Sequence, residues 1–146
     1  MALARRVAEV APVRLYAVAM GALFVLIGLP GFTGALVASA PTTGFYTGPG
    51  QLLGHFQVDG VHNLVHLAFG FLGLVAGVLG WRPSRLYAQL VGIAYILLFA
   101  YGAVTLGMSP SINGFLTLNV ADNWLHLVIG LAGLFFGFVP DFAPPD

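Results

Sequence analysis

The sequence contains no cysteine and no lysine, and only 7% of its 146 residues are charged. A chain without cysteine forms no disulfide and no thiolate metal site, and it has no cysteine nucleophile. A soluble domain carries about 25% charged residues, whereas this chain has five arginines and five acidic residues to cover the large relative surface of a small fold. The composition therefore excludes a soluble monomer, a disordered chain and a nucleic-acid-binding protein.

Hydrophobic residues make up 59% of the chain, and they are concentrated in four runs that each approach the ~20 residues that a bilayer core requires. These runs cover residues 15–37, 61–81, 86–106 and 121–139. Because backbone groups inside lipid must be satisfied within the segment, each run is predicted to be a helix. We therefore expect an all-α fold, an integral membrane four-helix bundle that occupies residues 1–146 as a single transmembrane domain and has the lipid bilayer as its partner.

The positive charges predict the orientation of this bundle. All of them lie in two places, before the first run and between the second and the third: Arg5, Arg6, Arg14, Arg82 and Arg85. With four spans these two places are on the same side, which the positive-inside rule makes cytoplasmic. Both termini are then cytoplasmic, and the connections 38–60 and 108–120 face outward. A short amphipathic helix is expected within the first connection, over residues 51–58.

The sequence also resembles itself at two internal shifts. Shifted by 60 positions (62 to 122), residues 62–67 fall on residues 122–127, with the same Asn, His and Leu at matching places. Shifted by 71 positions (14 to 85), residues 14–17 fall on the identical residues 85–88. The chain is therefore predicted to be two tandem parallel helical hairpins, related by a pseudo-twofold axis along the membrane normal. Their approximate bounds are residues 14–80 for repeat 1 and residues 85–140 for repeat 2.

Paired motifs open the second and the fourth run. Asp59 leads into His62-Asn63-x-x-His66, and Asn119 leads into Asp122-Asn123-x-x-His126. With these motifs the chain resembles, from about residue 14 to residue 137, a bacterial family of small four-helix membrane proteins known as domain of unknown function family 4383. The resemblance implies the four-helix fold and a multi-pass protein of the bacterial plasma membrane, and it implies no activity. His55 departs from the family's pattern, which has an apolar residue there.

Polar side chains at these two helix starts need an explanation, because a polar group that faces lipid is costly. Asp59 and Asn119 are predicted to be N-caps. Six further side chains follow within two helical turns and should point into the bundle: His62, Asn63, His66, Asp122, Asn123 and His126. At about 100° per residue, a stripe of glycines lies on the same face beyond each second histidine. Such stripes let helices approach one another closely.

Two interpretations of these polar residues treat them as packing residues or as metal ligands. In the first, amides and imidazoles hydrogen-bond between helices, and the chain is a structural or accessory subunit of a homo-oligomer or of a larger membrane complex. In the second, two motifs together supply a metal site. Its ligands would be His62, His66, Asp122 and His126, with Asn63 and Asn123 orienting them.

Two other interpretations stay open. One is a haem, with His66 and His126 as axial ligands and the glycines making room for the ring. The other is transport of a small solute or of protons by an oligomer. An enzyme is the least supported class, because no serine has the spacing to His and Asp that suggests a catalytic triad. The candidate cofactors are thus a metal ion and haem.

Overall fold

Four long helices form most of the part of the chain that the structure describes. The structure is a computed structural model that describes residues 11–33, 36–38, 47–106, 111–112 and 117–139. The helices are α1 (Pro12–Thr33), α2 (Gly60–Leu79), α3 (Trp81–Thr105) and α4 (Val120–Phe138). Each is long and apolar enough to cross a membrane, so the prediction of four helices is confirmed. The first helix ends at Thr33, short of the predicted residue 37, because Val37 belongs to a strand. Arg5 and Arg6, on which part of the predicted orientation rests, lie outside the described residues.

The helices pack as two hairpins. The most extensive contacts are those of α1 with α2 and of α3 with α4, while α2 and α4 have almost no close approach to each other. In each hairpin, a glycine lets the backbones of the two helices approach each other closely. A Cβ atom placed on Gly21 of α1 would lie 2.6 Å from the Leu74 nitrogen of α2, and one placed on Gly92 of α3 would lie 2.5 Å from the Leu134 nitrogen of α4. Only glycine therefore allows these backbones to approach so closely.

An arginine closes each hairpin at the end where the second helix stops, which we call the arginine end. The Arg14 Nε atom donates to the Gly77 carbonyl oxygen of α2 at 3.1 Å. The Arg85 Nε atom donates to the Gly137 carbonyl oxygen of α4 at 2.9 Å. Both carbonyls belong to the last turn of a helix, where they have no intrahelical donor and carry the negative end of the helix dipole. The two arginines thus stabilise equivalent helix ends.

Among the residues that the structure describes, five short strands form a layer at the opposite end of the bundle, which we call the strand end. They are β1 (Val37–Ala38), β2 (Gly50–Leu52), β3 (Phe56–Val58), β4 (Ser111–Ile112) and β5 (Leu118–Asn119). The first three pair antiparallel in the order β1-β2-β3, and β4 pairs antiparallel with β5. The all-α prediction is therefore right for the four helices and omits this small layer.

The prediction of an amphipathic helix over residues 51–58 is wrong, because that segment belongs to the hairpin of β2 and β3. Its turn needs positive φ angles, which Leu53 (53°) and Gly54 (73°) provide, and successive positive φ values are typical of tight hairpin turns. Leu52 and Val58 are buried on the inner side of this sheet together with Val37. Burial of these few apolar residues against the bundle fixes the strands.

We predict that Gly21→Ala and Gly92→Ala each lower the midpoint of thermal unfolding in detergent, and by similar amounts. Overpacking costs about 1–3 kcal/mol, which exceeds the ~1 kcal/mol that alanine gains over glycine in helix propensity. Ala100→Leu, which enlarges an exposed position of α3, is the control and should leave the midpoint unchanged. A rise in the midpoint for either glycine variant would contradict the close approach.

Candidate functional site

The eight polar residues of the paired motifs lie together at the strand end, and we call them the polar cluster. Its members are Asp59, His62, Asn63, His66, Asn119, Asp122, Asn123 and His126. The five most enclosed have exposed fractions of 8% or less: Asn63, His66, Asp122, Asn123 and His126. His62 is half-buried. The structure thus turns the polar faces of α2 and α4 inward, together with the glycines that follow on the same faces.

Two members of the cluster cap the helices, as the sequence predicts. The Asp59 Oδ1 atom accepts from the His62 N–H at 2.8 Å, and the Asn119 Oδ1 atom accepts from the Asp122 N–H at 3.1 Å. Asp122 also accepts from the Asn119 N–H at 2.8 Å, which completes a capping box on α4. Both caps satisfy N–H groups that a helix start leaves without an intrahelical partner.

The caps also join the two halves of the chain. The Asp122 Oδ2 atom accepts from the Gln57 N–H of β3 at 3.0 Å, while the Thr117 hydroxyl donates to the Asp59 carboxylate. Gln57 and Thr117 are themselves related by the shift of 60 positions. Each half therefore supplies a donor to the carboxylate at the start of the other half's helix, and hydrogen bonds to a charged acceptor are among the stronger ones in proteins.

Each asparagine of the Asn-x-x-His motifs packs on a glycine of the preceding helix. Asn63 lies against Gly31, and Asn123 lies against Gly102. Assigned from its neighbours, the Asn123 amide donates from nitrogen to the Phe99 carbonyl oxygen at 3.2 Å and accepts at oxygen from the Ala103 N–H at 3.3 Å. These two backbone groups are four residues apart on α3, which is the spacing of the helical hydrogen bond. The side chain therefore bridges the backbone of the neighbouring helix.

The rings of His62 and His66 are fixed by backbone carbonyls. The His62 Nδ1 atom lies 3.3 Å from the Thr117 carbonyl oxygen, and the His66 Nδ1 atom lies 3.0 Å from the His62 carbonyl oxygen. The two rings stack with centroids 4.5 Å apart. Because a carbonyl only accepts, each Nδ1 carries the proton, and in the neutral ring the lone pair is on Nε2. Two adjacent imidazoles thus have the same tautomer.

An aromatic stack separates the two halves of the cluster. Phe24 of α1 and Tyr95 of α3 stack with centroids 5.5 Å apart. Phe24 makes a T-shaped contact with His66, and Tyr95 makes a T-shaped contact with His126, each with ring centroids 5.3 Å apart. These two rings occupy the space between α2 and α4, so the polar faces of those helices do not pack directly on each other.

A cavity of about 60 Å³ lies beside this stack. Its polar lining comes from all three histidines of the cluster and from two further residues: His62, His66, His126, Tyr95 and Thr117. The remaining lining is aliphatic. His126 contributes a buried Nδ1 atom that has no hydrogen-bond partner among the described residues. Imidazoles of both motifs therefore line one cavity.

The structure places the predicted ligands as follows. His62, His66 and His126 share the cavity, whereas the Asp122 Oδ2 atom accepts two backbone N–H groups. Within the described residues, no three side chains of the His, Cys, Asp or Glu type are arranged to hold a metal ion. The metal site therefore stays a prediction.

The structure leaves little space for a haem between the helices. Pockets for ligands of that class measure about 300–1,000 Å³, which is several times the cavity beside the stack. The glycine stripes expected to admit the ring are occupied by neighbouring helices: Gly70 lies against Val25 of α1, and Gly130 lies against Ile96 of α3. A haem held by His66 and His126 would therefore need the hairpins to separate.

Sequence reasoning missed four residues that complete this site. The backbone N–H of Gln57 and the hydroxyl of Thr117 each donate to a carboxylate of the other half, and Phe24 and Tyr95 form the central stack. A signal for both pairs was present, because each pair is related by the same shift as its repeat segment, 60 positions for the first (57 to 117) and 71 for the second (24 to 95). Positions related by these shifts are therefore candidates for equivalent contacts.

Comparison with known proteins places the chain in a family. Residues 14–139 match the model of a family described as a domain of unknown function, DUF4383. The chain belongs to this family, which confirms the resemblance. No curated protein matches the chain, and no solved structure matches it.

We predict that Asp122→Ala detaches the sheet of β2 and β3 from α4. The change removes two backbone hydrogen bonds to a buried carboxylate, and a bond to a charged group contributes about 1.5–3 kcal/mol. Amide exchange in residues 50–58 should become faster by at least about tenfold in hydrogen–deuterium exchange mass spectrometry. Thr105→Ala, which removes an exposed hydroxyl of α3, is the control. Unchanged exchange in Asp122→Ala would refute the link.

Proposed function

We propose that the chain is an integral membrane protein of the bacterial plasma membrane, built as a single domain from two tandem parallel hairpins over residues 14–80 and 85–140. Three pairs of contacts support the duplication, because each recurs at the shifts of 71 and 60 positions. They are the arginine contacts at Gly77 and Gly137, the glycine approaches of Gly21 and Gly92, and the asparagines on Gly31 and Gly102. A shared ancestral hairpin accounts for all three.

In this proposal the strand end faces outward and the arginine end faces the cytoplasm. Arg14, Arg82 and Arg85 all belong to the arginine end, and the positive-inside rule assigns such an end to the cytoplasm. Both termini are then cytoplasmic. The polar cluster lies in the outer half of the bundle, beneath the strands.

The function that the geometry supports best is that of a structural or accessory membrane subunit. The observation that carries this proposal is the reciprocal bonding of the caps, in which Asp122 accepts from Gln57 and Asp59 accepts from Thr117. Most polar groups of the cluster bond other parts of the chain, and these bonds tie two hairpins and two sheets into one unit. Such a unit presents an apolar belt of exposed side chains to lipid or to neighbouring subunits.

Labelling of single cysteines tests the orientation. The chain has no cysteine of its own, so His55→Cys in the exposed β2–β3 turn provides the only thiol at the strand end. Pro83→Cys provides one near the arginine end and keeps all five arginines. An impermeant maleimide should label His55→Cys in intact cells, and it should label Pro83→Cys only after permeabilisation. The reverse pattern would invert the orientation, and cytosolic protein in both variants would overturn membrane insertion.

The subunit role is tested by native mass spectrometry of the untagged protein extracted from its own membranes in a mild detergent. A single chain has a mass of 15.3 kDa. We expect the protein in discrete assemblies, either multiples of this mass or complexes of fixed composition with other membrane proteins, because an accessory subunit has a partner. Gly92→Ala, which disturbs helix packing, should also lower the fraction of the protein found in these assemblies. Cross-linking through Ala100→Cys measures whether the exposed face of α3 contacts another chain. A monomer alone would contradict the role.

A further inference from the structure

We propose that the cavity beside the Phe24–Tyr95 stack binds the vicinal diol head of a neutral lipid, a monoacylglycerol that enters from the bilayer between α2 and α3. The proposal goes beyond a structural role and rests on the proposed membrane insertion. It uses the histidine rings in the positions that they have in the structure, as hydrogen-bond acceptors.

The wall of the cavity reaches the outside of the bundle. Two valines that line it, Val61 and Val65, are 44% and 42% exposed, and both lie on α2. Leu98 of α3 also lines it. In a bundle that spans a membrane, exposed apolar side chains of this kind face lipid. A ligand therefore reaches the cavity from the acyl chains, and it must itself carry an apolar group.

The depth of the cavity suits the head of a lipid. The helix α2 contains 20 residues, and at 1.5 Å per residue its length of about 30 Å equals the hydrocarbon thickness of a bilayer. His62 and His66 lie about 3 Å and about 9 Å from the start of this helix. The cavity is therefore close to the plane where the polar heads of lipids meet their acyl chains.

Two histidines of the wall offer separate hydrogen-bond acceptors. His62 and His66 each have Nδ1 at a backbone carbonyl oxygen, at 3.3 Å and 3.0 Å, so each neutral ring accepts at Nε2. The rings are nearly parallel, with 13° between their planes and 4.5 Å between their centroids, so their lone pairs lie in separate planes. A ligand with hydroxyl groups on two neighbouring carbons matches this pair, because each hydroxyl can donate to its own ring.

The rest of the wall combines one further donor with apolar surface. Tyr95 lines the cavity, and its phenol can donate to an oxygen of the ligand. The Thr117 hydroxyl already donates to Asp59. Ligand sites typically have such a wall, in which a few polar groups orient a ligand that is held mainly by apolar contact. The wall therefore suits an uncharged diol attached to an acyl chain.

The volume of the cavity matches this head group. It is about 60 Å³, and a single water needs about 10–15 Å³ on this measure. The cavity therefore has room for about four to six groups of that size, and a vicinal diol consists of two carbons and two oxygens. The head fits inside while the acyl chain stays in the bilayer.

Charges at the strand end favour a neutral lipid over an anionic one. The arginines that the structure describes, Arg14, Arg82 and Arg85, belong to the arginine end, and the chain has no lysine. Anionic lipids are attracted by clusters of such residues. The strand end instead has the carboxylates of Asp59 and Asp122, which would repel a lipid phosphate.

The cavity lies where the two halves differ, which supplies a variant for the test. Val65 and Thr117 line it, and the positions related to them by the shift of 60 carry the larger Leu125 and Gln57. Leucine at the matching position of α4 indicates that the hairpin accepts it there. Val65→Leu should therefore fill part of the cavity and leave the fold intact.

The test is native mass spectrometry of the untagged full chain in detergent with monoolein. One monoolein should stay bound to each 15.3 kDa chain. It should bind at least about tenfold more tightly than methyl oleate, which has the same acyl chain and no hydroxyl group. Oleoyl lysophosphatidylglycerol, which has the same diol beside a phosphate, should bind more weakly than monoolein.

Two matched variants locate the site. Val65→Leu should weaken the binding of monoolein by at least about tenfold, because it removes the space for the head group. Val78→Leu makes the same change at a side chain that is 77% exposed near the arginine end of α2, and it should bind as the wild type does.

A second measurement uses the wild type alone and so does not depend on how a variant folds. Nitrogen NMR of the isotope-labelled histidines should show that monoolein shifts the Nε2 signals of two of the four rings, and that methyl oleate shifts none.

The proposal is overturned if the wild type binds monoolein no better than methyl oleate, or if it prefers the lysophosphatidylglycerol. It is equally overturned if Val65→Leu binds as the wild type does, if Val78→Leu weakens binding as much as Val65→Leu, or if no Nε2 signal moves. Cysteine labelling tests membrane insertion without any added lipid, so a failure of insertion is distinguished from a failure of lipid binding.

Discussion

The buried polar groups at the strand end constrain the whole structure, because a group removed from water must find its hydrogen-bond partner inside the protein. Asp122 meets this requirement by accepting from Gln57 and Asn119, and Asp59 meets it by accepting from Thr117 and from the start of α2. Each carboxylate accepts one hydrogen bond from its own hairpin and one from the other hairpin. Docking of the two hairpins is thus set by polar bonds at one end, although apolar surface supplies most of the contact.

Glycine makes this arrangement compatible with helix packing. Gly21 and Gly92 bring the helices of each hairpin to backbone contact, and the same closeness allows an asparagine to reach the neighbouring backbone. Asn123 bridges the Phe99 carbonyl and the Ala103 N–H in this way. At the corresponding place in the first hairpin, Asn63 is fully buried and both of its amide atoms lack a partner among the described residues. The two hairpins thus share a scaffold while their polar chemistry differs.

Local patterns in the sequence were enough to predict the four helices, the caps Asp59 and Asn119, and the inward faces of α2 and α4, since each depends on residues within a few turns. The strands could not be predicted in the same way. Elements of two or three residues have too little periodicity to be recognised, and β3 is held by a bond from Gln57 to Asp122, 65 positions away. For the same reason the Phe24–Tyr95 stack was missed, because it depends on how one hairpin docks on the other.

Matching positions of the two hairpins separate residues that maintain the fold from residues that make it specific. Arg14 and Arg85, the same residue at matching positions, make the same contact and close a helix end. Where the hairpins differ, one half has a capping carboxylate at residue 122 and the other has an imidazole at residue 62. The carboxylate completes the capping box on α4, whereas the imidazole extends to the Thr117 carbonyl and faces a cavity. Divergence at this one helix position therefore replaces a capping carboxylate in one half with an imidazole that faces a cavity in the other.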